Sequence, residues 1–179
     1  MSNRKVIFLD RDGTINVDTG AVHSLADWRL LDGAGEALRL LQDAGFALAV
    51  VTNQSAIGDG RLAEESLRGI HGQMRRDLER FGVNLDAVAH CPHRRDAGCD
   101  CRKPRTGLFG PIRAKIGLID LADSWMVGDK ESDIGFGRAI GVRTALIRSR
   151  YWGLDTLGMK PDTVVDSLFQ FARDLCPAP

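Results

Sequence analysis

The segment Val6-Ile7-Phe8-Leu9-Asp10-Arg11-Asp12-Gly13-Thr14 limits the possible folds more than any other in the chain. Four apolar residues run without interruption and stop at two carboxylates spaced i, i+2. Such a run is the pattern of a strand buried on both faces, as in the parallel sheets of α/β proteins. The carboxyl end of such a strand is where open parallel sheets place their chemistry. Gly13 lets the backbone turn tightly. Asp10 and Asp12 therefore stand together at the mouth of a crevice, where two like charges are costly without a cation between them. A divalent metal answers that need, and a phosphate goes with it. A D-x-D pair alone also fits a turn or a helix cap.

The rest of the chain repeats the theme. Apolar runs expected to be strands fall at about 5–10, 46–51, 85–90, 124–128 and 143–147, with a short one near 163–165. Helical patterns lie between them, at about 33–44, 62–81, 107–116, 131–140 and 167–175. Strands alternating with helices predict a parallel sheet covered on both faces. Fewer than twenty residues separate Thr14 from Gly33, enough for a loop or small hairpin but not a second domain. The expected fold is a Rossmann-like, three-layer α/β domain spanning 1–179, with no cap domain and an open site shaped by loops.

Composition narrows the function. Lys+Arg and Asp+Glu both number 24, giving zero formal net charge. That balance argues against nucleic acid as the partner. No apolar run approaches the ~18 residues needed to span a membrane, and the N-terminus leads into the first strand without a signal peptide. A cytoplasmic location is expected. In that compartment the cluster of Cys91, Cys99 and Cys101 beside His93 favours a metal over a disulfide.

Four segments bring polar residues to the same side of the sheet. They are Asp10 and Asp12, Thr52-Asn53-Gln54-Ser55, Arg102-Lys103-Pro104, and Asp129-Lys130-Glu131-Ser132-Asp133. Carboxylates hold Mg²⁺ through hard oxygen ligands. The hydroxyl, amide and cations suit phosphate oxygens. Together they form a phosphoryl-transfer site. Each piece has a plainer reading: Thr52-Asn53-Gln54 as a turn, Asp129 and Asp133 as a solvated helix start, Lys103 as a surface lysine. A phospho-acceptor signalling domain would also combine carboxylates, a Thr and a Lys around Mg²⁺. Its acceptor lies on a middle strand with no acid two residues later, so Asp12 argues for turnover rather than storage.

D-x-D-G-T at Asp10–Thr14, Thr52 at a strand end, Lys103, and Gly128-Asp129 with Asp133 resemble the four-motif pattern of the haloacid dehalogenase (HAD) phosphatases. The resemblance covers residues 6 to 150. It implies that Asp10 is a nucleophile forming an aspartyl-phosphate, and that Asp12 is the acid for the leaving group and then the base for water. It also implies that Asp10, Asp129 and the backbone carbonyl of Asp12 hold Mg²⁺, and that Thr52 and Lys103 stabilise the transferring phosphoryl group. Asp133 is expected to position Lys103 or a metal-bound water.

Cys91, His93, Cys99 and Cys101 offer four ligands on a short loop. They suit a closed, tetrahedral, structural Zn²⁺ site. A Cys91–Cys101 disulfide or free core cysteines are the alternatives. With this loop the chain resembles two groups within the superfamily, the heptose-bisphosphate 7-phosphatases and the histidinol-phosphatases. The segments Ile15–His23, Val51–Ser55 and Met126–Lys130 are similar to the first group. The five residues between His93 and Cys99 are similar to the second. The first resemblance implies an enzyme for a small-molecule sugar bisphosphate, acting at C7 on the route to ADP-heptose and lipopolysaccharide. The sugar would be met by Asp18, Gly20 and Ala21 and the second phosphate by Arg102 and Lys130, with Asn53, Gln54 and Ser55 also expected to bind the substrate. A monomer is expected.

Overall fold

The computed structural model describes residues 3–20, 22–149 and 158–177. Six parallel strands form one sheet in the order β3-β2-β1-β4-β5-β6. They are β1 (Val6–Leu9), β2 (Ala47–Asn53), β3 (Ala87–Cys91), β4 (Trp125–Gly128), β5 (Arg143–Ile147) and β6 (Thr163–Val165). The helices are α1 (Ala34–Asp43), α2 (Ser55–Gly58), α3 (Glu64–Glu79), α4 (Phe109–Ile116), α5 (Glu131–Ile140) and α6 (Leu168–Leu175).

The alternation of side chains along β1 builds the three layers. Ile7 and Leu9 join the apolar cluster that holds Leu38 and Leu41 of α1, Leu67, Ile70 and Met74 of α3, and Phe171 of α6. Val6 and Phe8 join the opposite cluster, with Ile112 and Ile116 of α4 and Phe136 and Ile140 of α5. Every β1 side chain is fully buried. At about 1.5–3 kcal/mol per large apolar side chain, this strand anchors both halves of the core.

The chain winds outward from β1 through β2 to β3, then returns to the other side of β1 with β4. The β1/β4 boundary is thus the topological switch point, where such sheets open a crevice at the carboxyl ends of their strands. Leu9 pairs with Val127, and the Asp10 amide donates to the Val127 carbonyl at 2.9 Å. That register places Asp10 and Asp129 on either side of the crevice.

The elements agree with the sequence expectations to within about two residues at each end. The segment after Thr14 closes as a small hairpin. Val17 N donates to Arg29 O and Leu31 N to Ile15 O, each at 2.9 Å. Trp28 Nε1 ties the hairpin to Asp77 of α3 at 2.8 Å. No cap domain occurs among the described residues. Two short elements had no sequence signal, the 3-10 turn Leu25–Asp27 and the one-turn helix α2. Neither is long enough to show a periodic pattern.

Candidate active site

Three carboxylates meet at the switch point. Asp10, Asp129 and Asp133 are all buried, and one oxygen from each lies within 4.8 Å of the others. Two backbone positions require glycine for this approach. A Cβ on Gly13, which has φ 85°, would overlap the Asp129 carboxylate, and one on Gly128 would overlap Asp133. The lysines 103 and 130 offset the charge. Lys103 Nζ lies 2.9 Å from Asp10 Oδ1 and 2.6 Å from Asp133 Oδ1, and also donates to the Val51 carbonyl. Lys130 Nζ lies 3.0 Å from Asp129 Oδ1, 3.1 Å from the Asp12 carbonyl, 3.3 Å from Asp18 Oδ2 and 3.7 Å from Asp10 Oδ2.

The electrostatics sort the three acids. Burial alone would raise Asp10, but Lys103 and Lys130 outweigh it and hold its carboxyl below the usual range. Burial and the neighbouring Asp10 charge push Asp129 up to about 7. Burial pushes Asp133 up to about 6 despite its pairing with Lys103. Lys103 is raised; burial opposes its charge, but Asp10 and Asp133 prevail. Asp133 Oδ2 also accepts from the Lys130 amide at 3.0 Å, which fixes it at the start of α5. Of the two expectations for Asp133, the geometry favours the contact with Lys103.

The acid cluster fits a hard divalent cation. Asp129 Oδ2 is buried without a protein hydrogen-bond partner. The Lys130 ammonium touches an oxygen of Asp10, an oxygen of Asp129 and the Asp12 carbonyl, the set expected of Mg²⁺ ligands. These oxygens thus converge on a point already suited to positive charge.

Asp12 stands apart, its carboxylate ringed by donors. Arg11 Nη2 reaches Oδ1 at 2.8 Å and Oδ2 at 2.9 Å, and Arg11 Nε reaches Oδ1 at 3.1 Å. Asn16 donates to Oδ1 at 3.0 Å and Gln54 to Oδ2 at 2.8 Å. Gln54 also bonds Thr52 Oγ1 at 2.9 Å, linking the second and first strand ends. Asn53 grips the backbone of Lys103, accepting from its amide at 3.0 Å and donating to its carbonyl at 3.2 Å.

A cleft of about 310 Å³ opens over these groups. Asp10, Asp12, Thr52 and Lys103 line it, as do Asp18, Gly20, Asn53, Gln54, Ser55, Arg102 and Lys130. Ala21 lies outside the described residues. Several of these side chains have protein partners: Asn53 faces Lys103, Gln54 faces Asp12, and Asp18 faces Lys130. Arg102 Nη1 is buried without one. Arg61 and Arg95 join the lining without having been singled out from sequence. Nothing in their immediate sequence separates them from surface arginines.

The cysteine loop closes beside the site. Cys91, His93, Cys99 and Cys101 bring their ligand atoms within 4.8 Å of one another. Cys91 Sγ lies 3.6 Å from both Cys99 Sγ and His93 Nδ1. Cys101 Sγ lies 3.1 Å from His93 Nδ1 and 3.7 Å from Cys99 Sγ. The cysteines are free thiols, so the disulfide alternative is not formed. The sulfur–sulfur edges approach the roughly 3.8 Å of a tetrahedron with ~2.3 Å Zn–S bonds. Cys91 pairs in register with Asn53, and Cys101 precedes Lys103 by two residues. The loop is therefore anchored beside Asn53 and runs directly into Lys103, whose backbone Asn53 grips.

Comparison with known proteins follows the same lines. A family model described as HAD-hydrolase-like matches residues 100–171. The D-glycero-beta-D-manno-heptose-1,7-bisphosphate 7-phosphatase of Haemophilus ducreyi is 39% identical over 173 residues, covering 92% of this chain and 94% of that protein. The enzyme of the same name from Escherichia coli O6:H1 is 43% identical over 148 residues, 79% of this chain and 77% of its own. A crystal structure of D,D-heptose 1,7-bisphosphate phosphatase from B. bronchiseptica, complexed with magnesium and phosphate, superposes with a TM-score of 0.88. It is 33% identical and covers 96% of this chain and 97% of that one.

Proposed function

The chain belongs to the heptose-bisphosphate 7-phosphatase family of HAD-like phosphoric monoester hydrolases, and on that premise we propose that it removes the C7 phosphate of D-glycero-D-manno-heptose 1,7-bisphosphate. The observation that carries this reading is Lys103, buried at the switch point and paired with both Asp10 and Asp133. A carboxylate placed there, with a buried cation against it, is a competent phosphoryl acceptor. The relatives named above favour the heptose over the histidinol alternative.

Asp10 attacks phosphorus, and the bond from phosphorus to the C7 oxygen breaks. Asp12 gives that oxygen a proton. Asp12 then takes a proton from water, which attacks the aspartyl-phosphate and frees phosphate and Asp10. One group can serve both steps because acid and base are the two states of one carboxyl. Lys103 and Thr52 hold the transferring oxygens, and Asp133 keeps the Lys103 ammonium aimed at Asp10. Asp10, Asp129 and the Asp12 carbonyl would hold Mg²⁺, which supplies charge neutralisation for the phosphoryl group. Cys91, His93, Cys99 and Cys101 would hold a structural Zn²⁺ that fixes the loop carrying Arg102 and Lys103. Arg102 and Lys130 receive the C1 phosphate, with Asp18, Gly20 and Ala21 at the sugar. The reading places the protein in the cytoplasm, as a single-domain monomer on the route to ADP-heptose.

The test is phosphate release by the full chain with Mg²⁺, using the heptose bisphosphate and histidinol phosphate side by side. A clear preference for the heptose in kcat/KM is expected. Preference for histidinol phosphate would keep the chemistry and replace the substrate. Release from neither would remove the substrate assignment.

A further inference from the structure

Arg11 is the largest fully buried side chain among the described residues. A guanidinium taken out of water is strongly destabilising unless its donors and charge are answered. Asp12 answers three of its contacts. The remaining nitrogen, Nη1, lies 3.3 Å from Nε2 of His71, a part-buried residue of α3. Arginine has donors only, so His71 Nε2 is the acceptor and its ring proton sits on Nδ1. Behind it, His90 of β3 packs edge-on at 5.8 Å and bonds Glu64 at 3.1 Å. A line of contacts thus runs from Asp12 through Arg11 and His71 to the α3–β3 surface.

We propose that His71 is a positioning residue for the reaction, orienting Arg11 so that its bidentate grip holds the Asp12 carboxyl in place for proton transfer. The inference rests on the reading of Asp12 as acid and base. The chemistry of residue 71 is specific. An aliphatic residue would leave Arg11 Nη1 unanswered and free to tilt. A carboxylate would compete with Asp12 for the guanidinium charge. A neutral imidazole accepts the bond and leaves the charge to Asp12. Burial and the adjacent Arg11 charge push His71 down to about 3, so the ring stays neutral at working pH.

A leaving-group comparison separates positioning from bulk structure. The C7 alkoxide of the sugar ester needs a proton to depart, whereas the acetate of acetyl phosphate does not. In kcat/KM, which ends at phosphoryl transfer, only the ester depends on the acid. The readout is the ratio of ester to acetyl phosphate kcat/KM for the full chain with Mg²⁺. Asp12→Asn should lower that ratio by about 10²–10⁴, the usual range for a general acid. His71→Leu should lower it on the order of tenfold, and His71→Gln, whose amide oxygen can accept from Arg11, should restore most of it.

An unchanged ratio in His71→Leu beside a lowered ratio in Asp12→Asn would overturn this inference alone. An unchanged ratio in Asp12→Asn would overturn the role of Asp12 and this inference with it. Nitrogen-15 NMR of the unsubstituted protein gives a check independent of any variant's folding. His71 should show an unprotonated Nε2 at pH 7, and a protonated Nε2 would overturn the proposal.

Discussion

Lys103 is the residue on which the buried charge balance turns. It is 3% exposed and touches two carboxylates that are themselves out of water. Removing one partner of such a set is costly because the others remain. Lys103→Met should therefore lose about 3–5 kcal/mol of stability at pH 8, read by urea unfolding, as well as its activity. The loss should shrink toward pH 5, where Asp133, already raised to about 6, takes up a proton. A pH-independent loss would mean that packing, not charge, holds Lys103 in place. Lys130 is a different case, a third exposed and surrounded by the oxygens expected of metal ligands. In Lys130→Met the metal-free protein should melt a few degrees lower, consistent with about 1 kcal/mol, and Mg²⁺ should recover most of that drop. Most of these groups could be picked from sequence, because Asp10 and Asp129 end apolar runs and Lys103 directly follows the cysteine cluster. Arg11 could not. Between two carboxylates it looks like a spacer, and its buried Nη1 meets His71, sixty residues away.

Among the elements, the cysteine loop and α3 do the most to aim side chains. The loop leaves β3 at Cys91, in register with Asn53, and returns through Cys101 to Lys103. Four sulfur and nitrogen ligands so close together strain against one another unless a cation draws them in. Chelation to a verified zinc-free state should therefore lower Tm and reduce kcat/KM several-fold, with Mg²⁺ kept in excess. Calorimetry paired with metal analysis would measure this, and full activity without zinc would remove the loop's positioning role. The loop's ligands were readable because Cys and His in tight spacing have few other uses. Helix α3 was readable as a helix at about 62–81, and the structure puts Leu67, Ile70, Met74 and Leu78 on its buried face. Its part in the site was not, since His71 beside that stripe has the pattern of an ordinary core-edge histidine. The one-turn α2 that follows Gln54 is too short for any periodicity to show.

At the scale of the molecule, zero net charge conceals a concentrated acidic centre, and that centre links folding, protons and metal. Asp129 has its carboxyl raised from 3.8 to about 7 in the folded chain. Between those values the folded state keeps a proton that the unfolded state has released. Its contribution to stability is thus fully present below pH 3.8 and is lost as pH rises through about 7. Asp133 behaves likewise up to about 6. Asp10 is shifted the other way, so its effect falls below pH 3.8 and does not oppose the trend at higher pH. A divalent cation reverses the balance, because it binds the deprotonated carboxylates and stabilises only the folded state. His71, pushed down to about 3, works the other way up to pH 6.5, because only the unfolded chain protonates it there. The loss of stability in the metal-free protein should therefore be clearest above pH 6.5, while the gain in Tm on adding Mg²⁺ should grow as Asp129 gives up its proton. Scanning calorimetry at a series of pH values, with and without Mg²⁺, tests this directly. A gain in Tm that stays constant with pH would place the cation away from Asp129. A gain that rises with a midpoint near 7 would tie it to that carboxylate, at the point where β1 and β4 part.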